Sequence, residues 1–378
     1  MATNNNDKTL NVPHLRFPEF SGEWEEEQLD SIATLSKGIG ISKEQLSEDG
    51  EPCILYGELY TKYKSEIIKQ VESKTDIDCS KLKRSKANDV IIPCSGETAV
   101  DIATARCVPF DNILLGGDLN IISLHKYDGA FMSYQLNGKR KYDIARVAQG
   151  VSVVHLYGEH LKAIKTYNPS LPEQQKIAKL LSLIDERIAT QNKIIEKLES
   201  LIRGLCLKLV SQGIPNTTLN TCLECHSSIL QEKSVTTDGK YPVYGAAGIC
   251  GYSDTPEASG DSILIIKDGA SVGATFYVSG KYSAIGTLNR LTARHGCSLR
   301  YLYYCLKIFD FSQYKTGQAI PHIYFRDYGI AKIWCPSLAQ QEHIAGILTS
   351  IDTKIQMERS LLEHLTIQKR FLLQNMFI

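Results

Sequence analysis

The sequence of 378 residues has no surplus of either charge: 42 lysines and arginines stand against 42 aspartates and glutamates. Bulk charge therefore does not announce a nucleic-acid partner. Such a partner would need charge segregated on one face, or help from another protein. No apolar run approaches the ~18 residues that cross a bilayer. The amino terminus, Met1-Ala-Thr-Asn-Asn-Asn-Asp-Lys8, is polar and carries no secretory leader. Together these features point to a soluble, cytoplasmic protein. The eleven cysteines are odd in number and scattered singly, which fits reduced thiols better than a disulfide framework.

Catalytic signatures are also missing. Asp268-Gly-Ala-Ser-Val-Gly273 is glycine-rich but lacks the Lys-Ser/Thr ending of a phosphate-binding loop, and reads as a tight turn. No Asp/Asn-Pro-Pro-Tyr/Phe stretch occurs, so the aromatic-lined site that an amino-methyltransferase needs is absent from the sequence. No carboxylate–lysine nuclease cluster stands out. Cys222-Leu-Glu-Cys-His226 has the spacing of covalent haem attachment, but nothing accompanies it that would export the chain. As half of a zinc site it lacks a second Cys/His pair at ligand spacing, so it reads as buried thiols. No catalytic, metal or cofactor set emerges for this chain.

What the sequence does contain is a stretch that occurs twice. Asn168-Pro-Ser-Leu-Pro-Glu-Gln-Gln-Lys-Ile-Ala-Lys-Leu-Leu-Ser-Leu-Ile-Asp185 is matched by Cys335-Pro-Ser-Leu-Ala-Gln-Gln-Glu-His-Ile-Ala-Gly-Ile-Leu-Thr-Ser-Ile-Asp352. Ser170 with Glu173, and Ser337 with Gln340, have the spacing of a helix capping box. Apolar residues then recur in steps of four and three. The first copy has Ile177, Leu181, Ile184, Ile188, Ile195 and Leu198; the second has Ile344, Leu348, Ile351, Ile355, Leu362 and Leu365. That is the seam of a coiled coil. Both copies place a polar residue, Gln191 or Glu358, at the same seam position. A helix of about 37 residues spans roughly 55 Å, and two such seams most simply satisfy each other within the chain. Gly213 and Pro215 read as the stop of the first helix, with glycine as a left-handed cap.

The repeat extends upstream. Gly150 to His155-Leu-Tyr and Gly317 to His322-Ile-Tyr precede the helices at the same offset, and Gly117-Asp-Leu-Asn120 resembles Gly286-Thr-Leu-Asn289. The order is globule, long helix, globule, long helix. In the globules, 53–56, 90–93, 112–115 and 261–267 read as short strands, and 241–252 as a turn-laden strand pair. Residues 1–14 are expected to fray, 30–35 to form a short helix, and 60–86 to carry a helix or an exposed arm. The aromatic stripe of a helix over 299–308 reads as core.

These residues resemble the specificity subunit of type I restriction–modification enzymes. The opening Leu15-Arg-Phe-Pro-Glu-Phe-Ser-Gly-Glu-Trp24 looks like that family's entry, and the Pro-Ser-Leu-Pro-Glu-Gln-Gln run is similar to its spacer, here in two copies. The resemblance covers essentially the whole chain. It implies an α+β fold with an internal twofold repeat: two target-recognition domains with short-strand mixed sheets, separated by two long antiparallel helices in an intramolecular coiled coil. The corresponding boundaries are 1–168 and 213–335 for the domains, and 169–212 and 336–378 for the spacer helices. Each domain would read half of a bipartite double-stranded DNA site, while the helices set the spacing and dock methyltransferase subunits and, through them, restriction/translocase subunits.

S-adenosylmethionine, ATP and magnesium would belong to those partners, and this chain would be no enzyme. A self-sufficient DNA methyltransferase or nuclease, or a coiled-coil interaction protein without a DNA role, are the alternatives. Base edges are read by paired donors and acceptors. The internal repeat nominates Asn120 with Asn289 and Arg290, and Gln149 and Gly150 with Gly317 and Gln318. Tyr56, Glu58, Tyr60 and Tyr244 follow comparable strand positions. Lys139, Arg140 and Lys141 form a basic cluster suited to phosphate contact.

Overall fold

A computed structural model describes residues 10–378. The chain forms two compact units. One comprises the residues up to Gln191 together with Leu361–Ile378, and the other is Asn192–Ser360. Each is built on an antiparallel four-stranded sheet of the same topology. In unit one the order is Ala33–Lys37, Leu119–Leu124, Asp89–Pro93, Arg106–Val108. In unit two it is Leu223–Ser227, Leu288–Ala293, Ser262–Ile266, Thr275–Val278.

The strands Asp89–Pro93 and Ser262–Ile266 are buried along their whole length. A strand covered on both faces has no polar side to display, which is why 90–92 and 263–266 read as apolar runs behind a buried Asp89 and Ser262. Each unit adds a second sheet, of five strands in unit one and four in unit two, containing one parallel pair: Leu114–Leu115 beside Glu51–Ile54, and Lys281–Ala284 beside Tyr241–Gly245. These second sheets are mixed and short-stranded. A helix packs on each four-stranded sheet, Gly129–Asn137 in unit one and Leu299–Ile308 in unit two. Tyr301 and Tyr304 of the second helix are fully buried, so its aromatic stripe is core.

The two long helices are Leu171–Val210, of 40 residues, and Leu338–Asn375, of 38. Every seam residue from Ile177 to Leu198 and from Ile344 to Leu365 is buried or half-buried. In unit one the pairing is antiparallel. Ile177 and Leu181 cluster with Leu372 and Met376, while Asp185 lies 2.7 Å from the Lys369 ammonium. In unit two Glu199 meets Arg359 at 2.5 Å, and Ile202 and Cys206 cluster with Ile344, Leu348 and Ile355.

Within each unit a glutamine of the long helix ties it to the cap of the sheet-packed helix. Gln174 accepts the backbone N–H of Asp128 at 2.9 Å and donates to Pro169 O at 2.8 Å. Gln341 accepts the backbone N–H of Ser298 at 2.8 Å and donates to Pro336 O at 2.8 Å. Asp128 and Ser298 are the N-caps of the sheet-packed helices, whose own side chains accept from Phe131 N and Tyr301 N. Both glutamines are almost fully buried, so each amide satisfies backbone groups that water does not reach.

One helical stretch further on, Tyr134 donates to Asp185 at 2.7 Å and Tyr304 donates to Asp352 at 2.8 Å. Asp185 also holds Lys369, which in turn meets Glu66 at 2.6 Å. Burial pushes the Glu66 carboxyl up from the usual range, against the pull of that ammonium.

Several expectations change. Residues 10–14 are not frayed, because Trp24 N donates to Asn11 O and Leu15 N to Asn375 O; residues 1–9 lie outside the described residues. The expected helix at 30–35 is a single turn, Leu29–Ile32, that gives way to a strand at Ala33. Residues 60–86 form no arm. Glu58–Thr61 is one helical turn, Lys74–Thr75 and Lys83–Arg84 are short strands, and Glu66 is buried between them in sequence. The Glu173 carboxylate does not close a capping box, because Arg16 engages it through two bonds of 2.8 Å. Gly213 has no left-handed backbone; a Cβ there would overlap the Trp334 indole, so glycine serves close packing instead.

The glutamine ties are testable by urea denaturation. Gln174→Ala or Gln341→Ala leaves a buried cap N–H unpaired and should cost about 1–3 kcal/mol. The exposed neighbour Gln175→Ala should change stability by less than about 0.5 kcal/mol. Lys369→Ala, which strands two buried carboxylates, should cost about 3–5 kcal/mol. Equal midpoints for all four proteins would remove the ties from the account.

Candidate nucleic-acid interface

Each unit carries the same tight loop upstream of a long helix. Gln149 and His155 exchange backbone hydrogen bonds of 2.9 and 2.7 Å, and Thr316 and His322 exchange bonds of 2.9 and 2.8 Å. The closed segments are 150–154 and 317–321, and each begins with a left-handed glycine, Gly150 at φ +120° and Gly317 at φ +86°. A Cβ at either place would overlap Val153 O or Ile320 O. The loops therefore need glycine for both backbone conformation and space. Their tips face outward: Val151, Val153, Gln318 and Ile320 are all exposed.

Behind each loop stands a histidine, and two residues later an exposed tyrosine. His155 Nδ1 lies 3.3 Å from Ser95 Oγ, and His322 Nδ1 lies 2.7 Å from Asp268 Oδ1. Tyr157 and Tyr324, each the N-cap of a short helix, are 45% and 44% exposed. The Lys37 ammonium lies 5.7 Å from the ring centre of Tyr157, and the Arg326 guanidinium 5.0 Å from that of Tyr324. An aromatic face with a cation over it is suited to stacking on a base or holding a phosphate. These two tyrosines were missed as candidates, although their shared offset in the repeat was visible.

The nominated residues divide sharply. Gln149, Gly150, Gly317 and Gln318 are exposed on the loops. The paired backbone shows, however, that Gln149 corresponds to Thr316, while Gln318 takes the place of Val151. The two glutamines are not equivalents. Asn120 and Asn289 are corrected: both are buried in sheet strands, Asn120 donating to Leu156 O at 2.9 Å and Asn289 accepting from Ser227 Oγ at 2.9 Å. Neither presents an amide to a groove. Arg290 is half-buried and lines a cleft of about 290 Å³ with His226, Ser228 and Glu257.

The basic cluster is also thinner than its sequence suggests. Arg140 donates to Ile378 O at 2.8 Å, pairs with Asp143 at 3.2 Å and lies over the Tyr167 ring, so it is structural. Lys139 and Lys141 remain half-exposed. Tyr56 and Tyr60 line a cleft of about 630 Å³ with Ser95, Val153 and the acidic Glu97 and Asp101, which disfavours a phosphate there. Glu58 is buried and accepts from Leu55 N, and Tyr244 is half-buried against Tyr282.

Among the described residues one group of three ligating side chains converges: Cys222, Cys297 and Cys335. It does not include Cys225 or His226, the other members of the haem-like motif; His226 bonds Thr292 at 3.2 Å instead.

The model of the type I restriction modification DNA specificity domain matches residues 21–200 and again 224–366. The chain belongs to this family. Its two matched segments follow the two copies of the fold. The chain is 27% identical over 113 residues to the type I restriction enzyme EcoprrI specificity subunit of Escherichia coli, covering 30% of this chain and 28% of that one. It is 29% identical over 128 residues to the MjaVIII specificity subunit of Methanocaldococcus jannaschii, covering 34% and 29%. The match thus spans less than a third of either curated relative. The crystal structure of the type I restriction–modification S subunit from M. genitalium is similar over 97% of this chain and 99% of that chain, at 21% identity and a TM-score of 0.71. The fold of this family member is therefore that of a solved S subunit. Both curated relatives are specificity subunits by name. Among the described residues no helix is long and apolar enough to cross a membrane.

The loops give a direct test. Gly317→Ala forces a left-handed Cβ into Ile320 O and should cost about 1–2 kcal/mol. Hydrogen exchange at the Thr316 and His322 amides should then accelerate by roughly tenfold. Unchanged exchange would mean that the loop does not depend on its glycine.

Proposed function

We propose that the chain is the DNA-recognition and scaffold subunit of a type I restriction–modification complex. Residues 1–168 and 213–335 would be the two recognition domains, each reading one half of a bipartite site. The helices of 169–212 and 336–378 would set the spacing and dock methyltransferase subunits. The observation that carries this reading is the duplicated loop, histidine and exposed cation-capped tyrosine, offered once by each unit. S-adenosylmethionine, ATP and magnesium would be bound by the partner subunits, in the cytoplasm. The chain alone would transfer no methyl group and cut no DNA.

Contacts divide by role. Tyr157 with Lys37 and Tyr324 with Arg326 would position the backbone or stack on a base, whereas Gln149, Gln318 and Arg290 would read base edges. Lys139 and Lys141 would meet phosphates. Zero net charge makes binding by the isolated chain weak, so the assembled complex is the species to test.

Mapping of methylated sites by the assembled complex separates these roles. Gln318→Ala should relax one half-site only, and Gln149→Ala the other, each by about 1–3 kcal/mol of discrimination. Lys139→Ala should weaken all sequences alike and lower the salt slope by about one. Exchanging 213–335 for the same segment of a relative should rewrite one half-site. Changes in both halves from a single exchange would end the modular reading, and methyl transfer by the chain alone would end the recognition-subunit reading.

A further inference from the structure

The three converging thiols occupy junctions of the fold. Cys222 ends the helical turn Leu219–Cys222 that leads into a sheet strand. Cys297 directly precedes Ser298, the N-cap of the sheet-packed helix. Cys335 directly precedes Pro336 and Ser337, where the second long helix begins. All three sulfur atoms lie within 4.8 Å of one another, with Cys222 and Cys335 3.9 Å apart. Thiolates on a tetrahedral zinc at about 2.3 Å sit roughly 3.8 Å apart. The present spacing needs only a small contraction to reach that.

Unit one shows what else this corner can hold. The corresponding places are Ile32 at the end of its helical turn, Tyr127 before the N-cap Asp128, and Asn168 before Pro169 and Ser170. There the Glu27 carboxylate joins two of them, accepting from Tyr127 Oη at 2.6 Å and from Asn168 Nδ2 at 3.0 Å. One anionic group bridges the entry of the long helix to the entry of the sheet-packed helix. In unit two both of those places, and the third, carry sulfur.

We propose that Cys222, Cys297 and Cys335 form a binding site for a divalent thiophilic cation of the zinc class, with three thiolates as ligands and the fourth position open to water. The cation takes the bridging part that Glu27 plays in unit one. Each thiol gives up its proton as its bond to the metal forms, so binding releases three protons and no electrons move. Cys297 and Cys335 are half-exposed and admit the ion, while Cys222 closes the inner side.

The test uses the full chain, purified with reductant, stripped with chelator and titrated with cadmium and with zinc. Cadmium should raise a thiolate-to-metal charge-transfer band that saturates at one equivalent, and zinc should compete for it and raise the melting temperature. Cys297→Ser and Cys335→Ser should lose the saturating band, while Cys225→Ser, the neighbouring thiol outside the cluster, should keep it. Cys222 is fully buried, so its variant is read only if its chelator-treated melting curve matches the parent. Three results would overturn the site: no saturable band in the parent, a band that survives Cys297→Ser, or a Cys222–Cys335 disulfide in place of metal in the freshly purified chain.

Discussion

A buried glutamine amide at the start of each long helix fixes how that helix meets its globular unit. The amide bridges two backbone groups, an N-cap N–H and the carbonyl of the proline that precedes the long helix. A hydrophobic seam alone leaves a helix able to slide or rotate by a fraction of a turn at little cost. Polar groups that water does not reach impose a steep cost on any such shift. The tyrosine–aspartate bonds further along add a second fixed point on the same face. With two fixed points on one helix, its orientation on the sheet-packed helix is set, and the loop and exposed tyrosine upstream inherit that frame.

Charge is distributed with the same economy. Three consecutive basic residues look like a patch when written out, yet Arg140 is spent on the carboxyl-terminal carbonyl, Asp143 and Tyr167. Near the candidate loops Lys37 and Arg326 lie over aromatic rings, while Lys139 and Lys141 stay half-exposed. That arrangement gives local affinity for stacked or anionic groups without a strong long-range field. It agrees with a chain of zero net charge.

The duplication, the seam and the two α+β globules were legible because they depend on periodicity and on self-similarity, both of which are local in sequence. The strands at 90–93 and 261–267 were legible for the same reason. What escaped is contact between residues far apart in the chain. Asn120 and Asn289 carry base-reading chemistry, but their strand positions turn them inward. Gln149 and Gln318 sit next to equivalent glycines, yet on opposite sides of them, so that similarity of letters was not similarity of place. Cys222 was weighed with its sequence neighbours Cys225 and His226, and its sulfur in fact meets two thiols from other junctions. Tyr157 and Tyr324 could have been found from their common offset alone.

The first unit takes its last structural pieces from the end of the chain: Phe377 packs against Trp24 and Phe131 at ring separations of 6.4 and 5.2 Å. Unit two is continuous from Asn192 to Ser360. During synthesis, then, the part that emerges first waits longest. Its aromatic core stays open until Phe377 has been made, by which time the second unit has all it needs to close. A chain cut between Ser360 and Phe377 would be damaged in its first unit and spared in its second.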